Sequence, residues 1–372
     1  MENKFIKIIT GDINQFYEEN KDNFFINFLD VFENLKSLFS GDNSILNFSL
    51  GISKDFIINE GSVKRITSSF ESEVGMLIKT LNESDFLEKI YIINPPVTLN
   101  ESIKKLYPKN VEEIKYSFYS YTNEDIIKSY KITNSEIRGQ ETAIKNLHSS
   151  LINHNNSNKT KVLLLYGPAG VGKTESIKSI SRILFGDDKL KRIQLSMQND
   201  TEGYNYIFGN NKYNKSLSED ILNRKSNFIL LDEFDKCPSN IYNAFYQMFD
   251  ENIFKDNHFK VDLSGTIIFC TTNFKDKNSI KKMIGSPLFS RIDVFVKYEE
   301  IDINIKKEYL ENVFYKNIDA NDSIKKEDIL SSGLLNILLT QDINNMSMRE
   351  IDSMVIRGIN RYLFNRLLEY YK

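Results

Sequence analysis

The sequence predicts an α/β protein: a parallel sheet flanked by helices, followed by a small C-terminal helical lid and preceded by an α+β N-terminal domain. Three observations carry that prediction. Strand-like runs at 162–166, 192–196, 228–231, 266–271 and 294–298 alternate with helical stretches, as a parallel sheet covered by helices requires. The first run passes straight into a glycine-rich turn and a helix. Beyond residue 298 only helical patterns remain.

The elements follow in order. Phe25, Phe28, Phe32, Leu35 and Phe39 recur at steps of three and four, which places them on the buried face of one helix. Runs at 46–52, 55–58, 89–93 and 115–121 read as strands, with Pro95, Pro96 and Pro108 as punctuation. This region, 1–131, is expected to be a separate α+β domain and offers no motif. A helix at 141–153 and the polar loop 155–160 open the central unit, 132–298, and residues 299–372 form the lid.

Composition bounds the rest. A chain of 372 residues is long enough for two or three domains, and 41% hydrophobic with 27% charged residues is a normal globular balance. A net charge of −3 disfavours indiscriminate nucleic-acid binding. No apolar run approaches membrane-spanning length, and the first residues lack the apolar stretch of a secretory leader. Two cysteines and three scattered histidines make neither a disulfide framework nor a zinc site. The expectation is a cytoplasmic protein with no membrane contact, and Cys270 a small core residue.

The chemistry sits at strand ends. Val162 to Tyr166 leads into Gly167-Pro168-Ala169-Gly170-Val171-Gly172-Lys173-Thr174, the pattern G-x-x-x-x-G-K-[ST] between a buried strand and a helix. Small residues let the backbone curl its N–H groups toward phosphate oxygens, and the helix start adds positive charge. Lys173 is expected to reach the β- and γ-phosphates, and Thr174 to ligate Mg²⁺. Phe228 to Leu231 then ends in Asp232-Glu233. Asp232 suits the Mg²⁺ shell, and Glu233 suits orienting or deprotonating the water that attacks the γ-phosphate. A third strand ends at Thr272-Asn273, where the amide can hold that water or the γ-phosphate, or simply form a turn. The predicted activity is Mg²⁺-dependent hydrolysis of a nucleoside triphosphate, which the resemblance below narrows to ATP.

With these residues in view, the chain from about Ile137 onward resembles the AAA+ ATPases, and more narrowly the second ATPase module of the Clp unfoldases and disaggregases. Ile137-Arg138-Gly139-Gln140 is similar to the family's opening segment, which implies that Ile137 lies against the adenine. Asp232 to Pro238 and the amphipathic stretch 241–250 resemble the family's acidic strand end and the helix after it. Ser286 to Asp293 is similar to P-E-F-L-N-R-I-D. The resemblance implies Asn273 as first sensor, Arg291 as a finger acting on a neighbouring subunit, and Arg349 as second sensor. Such a finger supplies a fixed bidentate charge to the transition state and requires a ring, hexameric in the family. A surface pair with Asp293 is the alternative for Arg291. A capping box at Ser347 and Glu350 places Arg349 in the first turn of a helix, where it either faces the phosphates or is solvated.

The segment 209–216 stands where the Clp module carries a glycine-rich pore loop, and it is shorter and poorer in glycine. Tyr213 is the candidate paddle, with Tyr204 and Tyr206 as rivals, and a loop-anchoring tyrosine is the alternative. No I-G-F/L tripeptide for docking a protease barrel is present. Residues 1–131 resemble neither the family's helical N-domain nor a first ATPase module. The expected function is remodelling, unfolding or translocation of protein substrates chosen by the N-terminal domain. An ATP-gated assembly or regulatory scaffold is the alternative, and a nucleic-acid motor or loader the third reading.

Overall fold

A computed structural model describes residues 5–27, 55–59, 74–75, 78–79, 87–154, 157–198, 201–210, 215–319 and 326–370. The expected helix at 28–39, the strand at 46–52 and Tyr213 lie outside these residues, and Phe25 leads into a strand.

The N-terminal sheet holds β1 (Ile6–Gly11), β2 (Ile26–Asn27), β3 (Asp55–Ile58), β4 (Lys89–Ile93) and β5 (Val111–Tyr116), in the order β2-β3-β4-β1-β5. Every pairing is parallel. Strands and helices therefore alternate here as in an α/β unit rather than segregating. Period-two alternation splits the apolar residues between two faces. Ile6, Phe56, Ile58, Ile90 and Ile92 pack on one side with Leu99 and Ile103 of the helix Val97–Leu106. Ile9, Ile57, Tyr91 and Ile93 pack on the other with Phe16 of the helix Ile13–Glu19. The strand expected at 115–121 is Val111–Tyr116 instead. After Tyr116 the chain leaves the sheet, and Phe118 lays its ring against the Arg224 guanidinium, 4.5 Å away. That aromatic run serves an interface, not a ladder.

The central sheet holds β6 (Lys161–Tyr166), β7 (Lys191–Gln194), β8 (Phe228–Asp232), β11 (Ile267–Thr272) and β12 (Val294–Lys297), all parallel, in the order β12-β6-β11-β8-β7. Burial on both faces explains why β6, β8 and β11 read as continuous apolar runs. Leu163, Leu165, Phe228, Leu230 and Phe269 meet the helices Glu141–Leu151 and Lys173–Phe185. Val162, Leu164, Ile229, Leu231 and Cys270 meet the helices Tyr242–Asp250 and Lys277–Phe289. The helix Asn123–Glu136, which crosses the expected boundary at 131, packs on this unit: Ser129 bonds His148 at 3.1 Å and Thr133 bonds Ser179 at 3.1 Å.

A two-stranded antiparallel hairpin, β9 (Ile253–Lys255) with β10 (Lys260–Asp262), lies between β8 and β11 in sequence and carries the N-terminal unit. The Val97 N–H donates to the His258 carbonyl at 2.9 Å, Phe259 packs on the N-terminal core, and Lys115 pairs with Asp262. The C-terminal helices Ile303–Asp319, Lys326–Ser331, Leu334–Leu339 and Met348–Tyr370 close on their own core of Leu310, Phe314, Ile351 and Val355. Among the described residues no helix is long and apolar enough to cross a membrane.

Candidate functional site: a phosphate loop between two strand ends

β6 ends at Tyr166, and Gly167 follows with φ +139°. A Cβ there would lie 2.2 Å from the Tyr298 carbonyl oxygen, so the turn into the loop admits only glycine. The loop runs on into the helix Lys173–Phe185, whose first backbone N–H groups have no partner within the helix. It is flanked by residues far away in sequence. Ile137 lies against Gly172, and Ser347 of the lid lies against Gly170. The opening segment is pinned by Gln140, whose amide donates to the Glu299 carbonyl (2.8 Å) and accepts from the Glu299 N–H (3.1 Å).

Lys173 is 6% exposed. Its ammonium donates to the Gly167 carbonyl (2.8 Å), the Pro168 carbonyl (2.5 Å) and Oδ1 of Asn273 (3.1 Å). Burial pushes this amine down to about 8, against the pull of Asp235 and Asp232. An anion in the loop would favour its charged form. The Thr174 hydroxyl donates to Oδ1 of Asp232 at 3.0 Å, so the two expected metal ligands are already neighbours. Burial pushes the Asp232 carboxyl up, but hydrogen bonds from Thr271 (2.5 Å), Arg192 (2.9 Å) and Thr174 outweigh it and hold the group below the usual range. It is thus a carboxylate at neutral pH. A hard dication prefers such a hydroxyl and carboxylate pair with phosphate oxygens, so the residues present fit Mg²⁺ bound to a triphosphate.

Glu233 adopts a left-handed backbone, φ +56°, uncommon for a non-glycine residue. Its N–H donates to the Thr271 hydroxyl (2.9 Å), and its carboxylate accepts from the Gln194 amide (3.1 Å). The strand end therefore turns abruptly and aims Glu233 beside Asp232. Asn273 is exposed at the end of β11, with its amide oxygen on Lys173.

Lys173, Thr174, Asp232, Glu233 and Asn273 thus share one end of the sheet. Arg291 is elsewhere. It donates to the Pro287 carbonyl (2.9 Å) and to Asp250 (2.9 Å), and its guanidinium lies 5.3 Å from the Tyr246 ring centre. The alternative partner Asp293 is committed to the Val162 N–H at 2.7 Å. Arg349 is exposed in the first turn of Met348–Tyr370, behind the expected capping box: Ser347 N–H to Glu350 (2.7 Å) and Glu350 N–H to Ser347 (3.3 Å). Tyr206 is committed to Asp220 at 2.9 Å, whereas Tyr204 is 39% exposed, its ring tilted against Phe208 with centres 4.4 Å apart.

Three residues of this site escaped sequence reasoning: Arg192, Gln194 and Thr271. The register pairs Gln194 with Asp232, so the polar alternation Arg192, Gln194, Ser196 beside an apolar strand was the available signal. Arg192 bonds Asp232 through Nε and through Nη2 at 2.7 Å.

The family model described as AAA domain (Cdc48 subfamily) matches residues 158–321. The chaperone protein ClpB of Malacoplasma penetrans is 29% identical over 196 residues, 46% of this chain and 28% of that protein. Heat shock protein 100 of Trypanosoma brucei brucei is 29% identical over 150 residues, 37% of this chain and 17% of its own length. The chain thus spans less than a third of these curated relatives. A closed-state cryo-electron-microscopy reconstruction of Hsp104 with ATPγS and FITC-casein shares the fold with TM-score 0.52 at 16% identity, over 85% of this chain and 62% of that one. Residues 158–321, with the phosphate loop, acidic strand end and polar strand end in register, thus match an AAA domain and are similar to ATPase modules of ClpB and heat shock protein 100.

Proposed function

We propose that this chain hydrolyses MgATP and uses the cycle to remodel, unfold or translocate protein substrates as a homohexameric cytoplasmic ring. The observation that carries the reading is the convergence of Lys173, Thr174, Asp232, Glu233 and Asn273 on one sheet end. The loop N–H groups and Lys173 bind the triphosphate, and Ile137 borders the loop where the base would enter. Thr174 and Asp232 hold Mg²⁺, which when bound neutralises charge on the phosphate oxygens. Glu233, fixed by Gln194 and Thr271, orients the attacking water and takes its proton. Asn273 positions that water or the γ-phosphate. Arg291, turned to the flank with Asp250 and Tyr246, supplies charge to the site of an adjacent copy. Arg349 reports nucleotide state to the lid, whose Ser347 already touches the loop. In this reading 1–131 selects substrate or partner, 132–298 is the ATPase body, and 299–372 is the lid.

Glu233→Gln tests this. It should keep ATP affinity, lose about 10²–10⁴-fold in turnover, and trap a ring whose mass and co-purifying proteins identify the assembly and its substrates. Wild-type turnover would reject Glu233 as the base, and a monomer at saturating ATP would reject the ring. The short, glycine-poor segment 209–216 favours a second reading, an ATP-gated scaffold. A Tyr213→Ala protein with full cellular function would select it.

A further inference from the structure

Counted along the chain from the N-terminal strand of each sheet, both sheets run fifth-first-fourth-third-second, with every pairing parallel. From this identity we infer that the N-terminal unit is a second module built on the ATPase strand plan, whose phosphate loop is gone and which binds no nucleotide. Each chain then carries one live module and one silent one.

The registers align the two units residue by residue. Gly11, φ +93°, ends β1 opposite Tyr116, and a Cβ on it would lie 1.9 Å from the Tyr116 carbonyl oxygen. Gly167, φ +139°, stands in the same relation to Tyr298, at 2.2 Å. The turn that launches the phosphate loop therefore exists in both units, against the same residue type at the end of the fifth strand. Lysine precedes that tyrosine both times, Lys115-Tyr116 and Lys297-Tyr298. Extending each register by one residue, Asn59, just past the third strand, falls where Asp232 falls, and Asn94, just past the fourth, falls where Thr272 falls. The helix after the fourth strand contains Ser102-Ile103-Lys104-Lys105 in one unit and Ser279-Ile280-Lys281-Lys282 in the other, with both isoleucines buried. The match to the Hsp104 fold covers 85% of this chain, well beyond residues 158–321.

What differs is the phosphate-binding apparatus. Pro168 to Gly172 separate Gly167 from the helix at Lys173, whereas Asp12 alone separates Gly11 from the helix at Ile13. There is no loop to cradle phosphates and no lysine or threonine at the helix start. Asp12 also caps that helix, its carboxylate accepting from the Asn14 N–H at 3.1 Å. A phosphate approaching there meets a carboxylate already on the amide it needs. Asn59 in place of Asp232 supplies no anionic metal ligand. Asn94, 3% exposed with neither side-chain atom bonded, marks a polar strand end with nothing to act on.

The test is made on the full chain with ATPγS and 8-azido-ATP, using wild type and Lys173→Ala. Equilibrium dialysis should give one nucleotide per wild-type chain, and Lys173→Ala should weaken binding at least about 100-fold. Azido label should map outside residues 5–116, and hydrogen exchange at the amides of residues 11–16 should not respond to ATPγS. A second bound equivalent, a saturable site surviving in Lys173→Ala, label within 5–116, or nucleotide-dependent protection of 11–16 overturns the inference. A wild-type chain binding no nucleotide would overturn the proposed ATPase function while leaving the N-terminal unit silent, so the two failures are distinguishable.

Discussion

Two parallel sheets of one strand order occupy this chain, and they part company within a few residues after the first strand. In the central sheet Gly167 opens a loop that ends on Lys173, while in the N-terminal sheet Gly11 opens directly onto a capped helix. If the N-terminal unit is silent as inferred, this strand order alone does not make an ATPase. Both sheets bury alternating apolar faces and both end in polar residues at the same strand ends. On the proposed reading, catalytic capacity lies in the loop after Gly167 and in the Asp232 carboxylate that its neighbours keep charged.

The largest effect expected from this comparison comes from the paired glycines. Gly167→Ala and Gly11→Ala each force a Cβ onto a carbonyl oxygen, at 2.2 and 1.9 Å, with positive φ as an added strain. Each should cost more than about 2 kcal/mol, read by calorimetry as a lowered unfolding midpoint. Their consequences should diverge: Gly167→Ala loses ATP turnover, and Gly11→Ala keeps it. Equal loss of turnover in both would contradict a silent N-terminal unit.

The contrast also explains what was legible in the sequence. The phosphate loop and the Asp232-Glu233 strand end are contiguous patterns, so a linear reading finds them, and in the structure the Thr174 hydroxyl donates to Asp232. The N-terminal plan is written in pairings between distant strands, and its local trace is one tetrapeptide and a Lys-Tyr pair. With the loop gone, no contiguous motif announces it. Arg192 and Gln194 were hidden for a similar reason, since their importance appears only when β7 pairs with β8. Arg291 could be recognised by resemblance, but its contacts with Asp250 and Tyr246 could not, because they depend on how two helices meet.

Arg192→Gln sharpens the comparison at the acidic strand end. Asp232 sits below its ordinary value because hydrogen bonds overcome burial, so its charged form is present at higher pH and lost as pH falls through the folded value. Without the guanidinium that value rises. The acid limb of the turnover profile should move to higher pH, and the Mg²⁺ concentration for half-activity should rise about 3–10-fold. An unchanged acid limb would show that Thr271 and Thr174 suffice. Asn59, at the matching position of the silent unit, has no charge to hold.

The smallest effect is expected where the two units touch. Lys115 and Asp262 pair across the hairpin, and although burial pushes the Asp262 carboxyl up, the Lys115 and Ser264 hydrogen bonds bring it down to about 2. Its contribution is therefore present above the ordinary carboxylate value and disappears as pH falls toward 2. Both side chains are half exposed, 61% and 49%, so water and salt screen the pair. Asp262→Asn should cost less than about 1 kcal/mol, and the cost should vanish at high salt. Docking then rests on Phe259 in the N-terminal core and on the Val97 to His258 backbone bond, which no surface charge can replace. A salt-insensitive loss of several kcal/mol in Asp262→Asn would instead make the ion pair the principal tie between the silent and the live module.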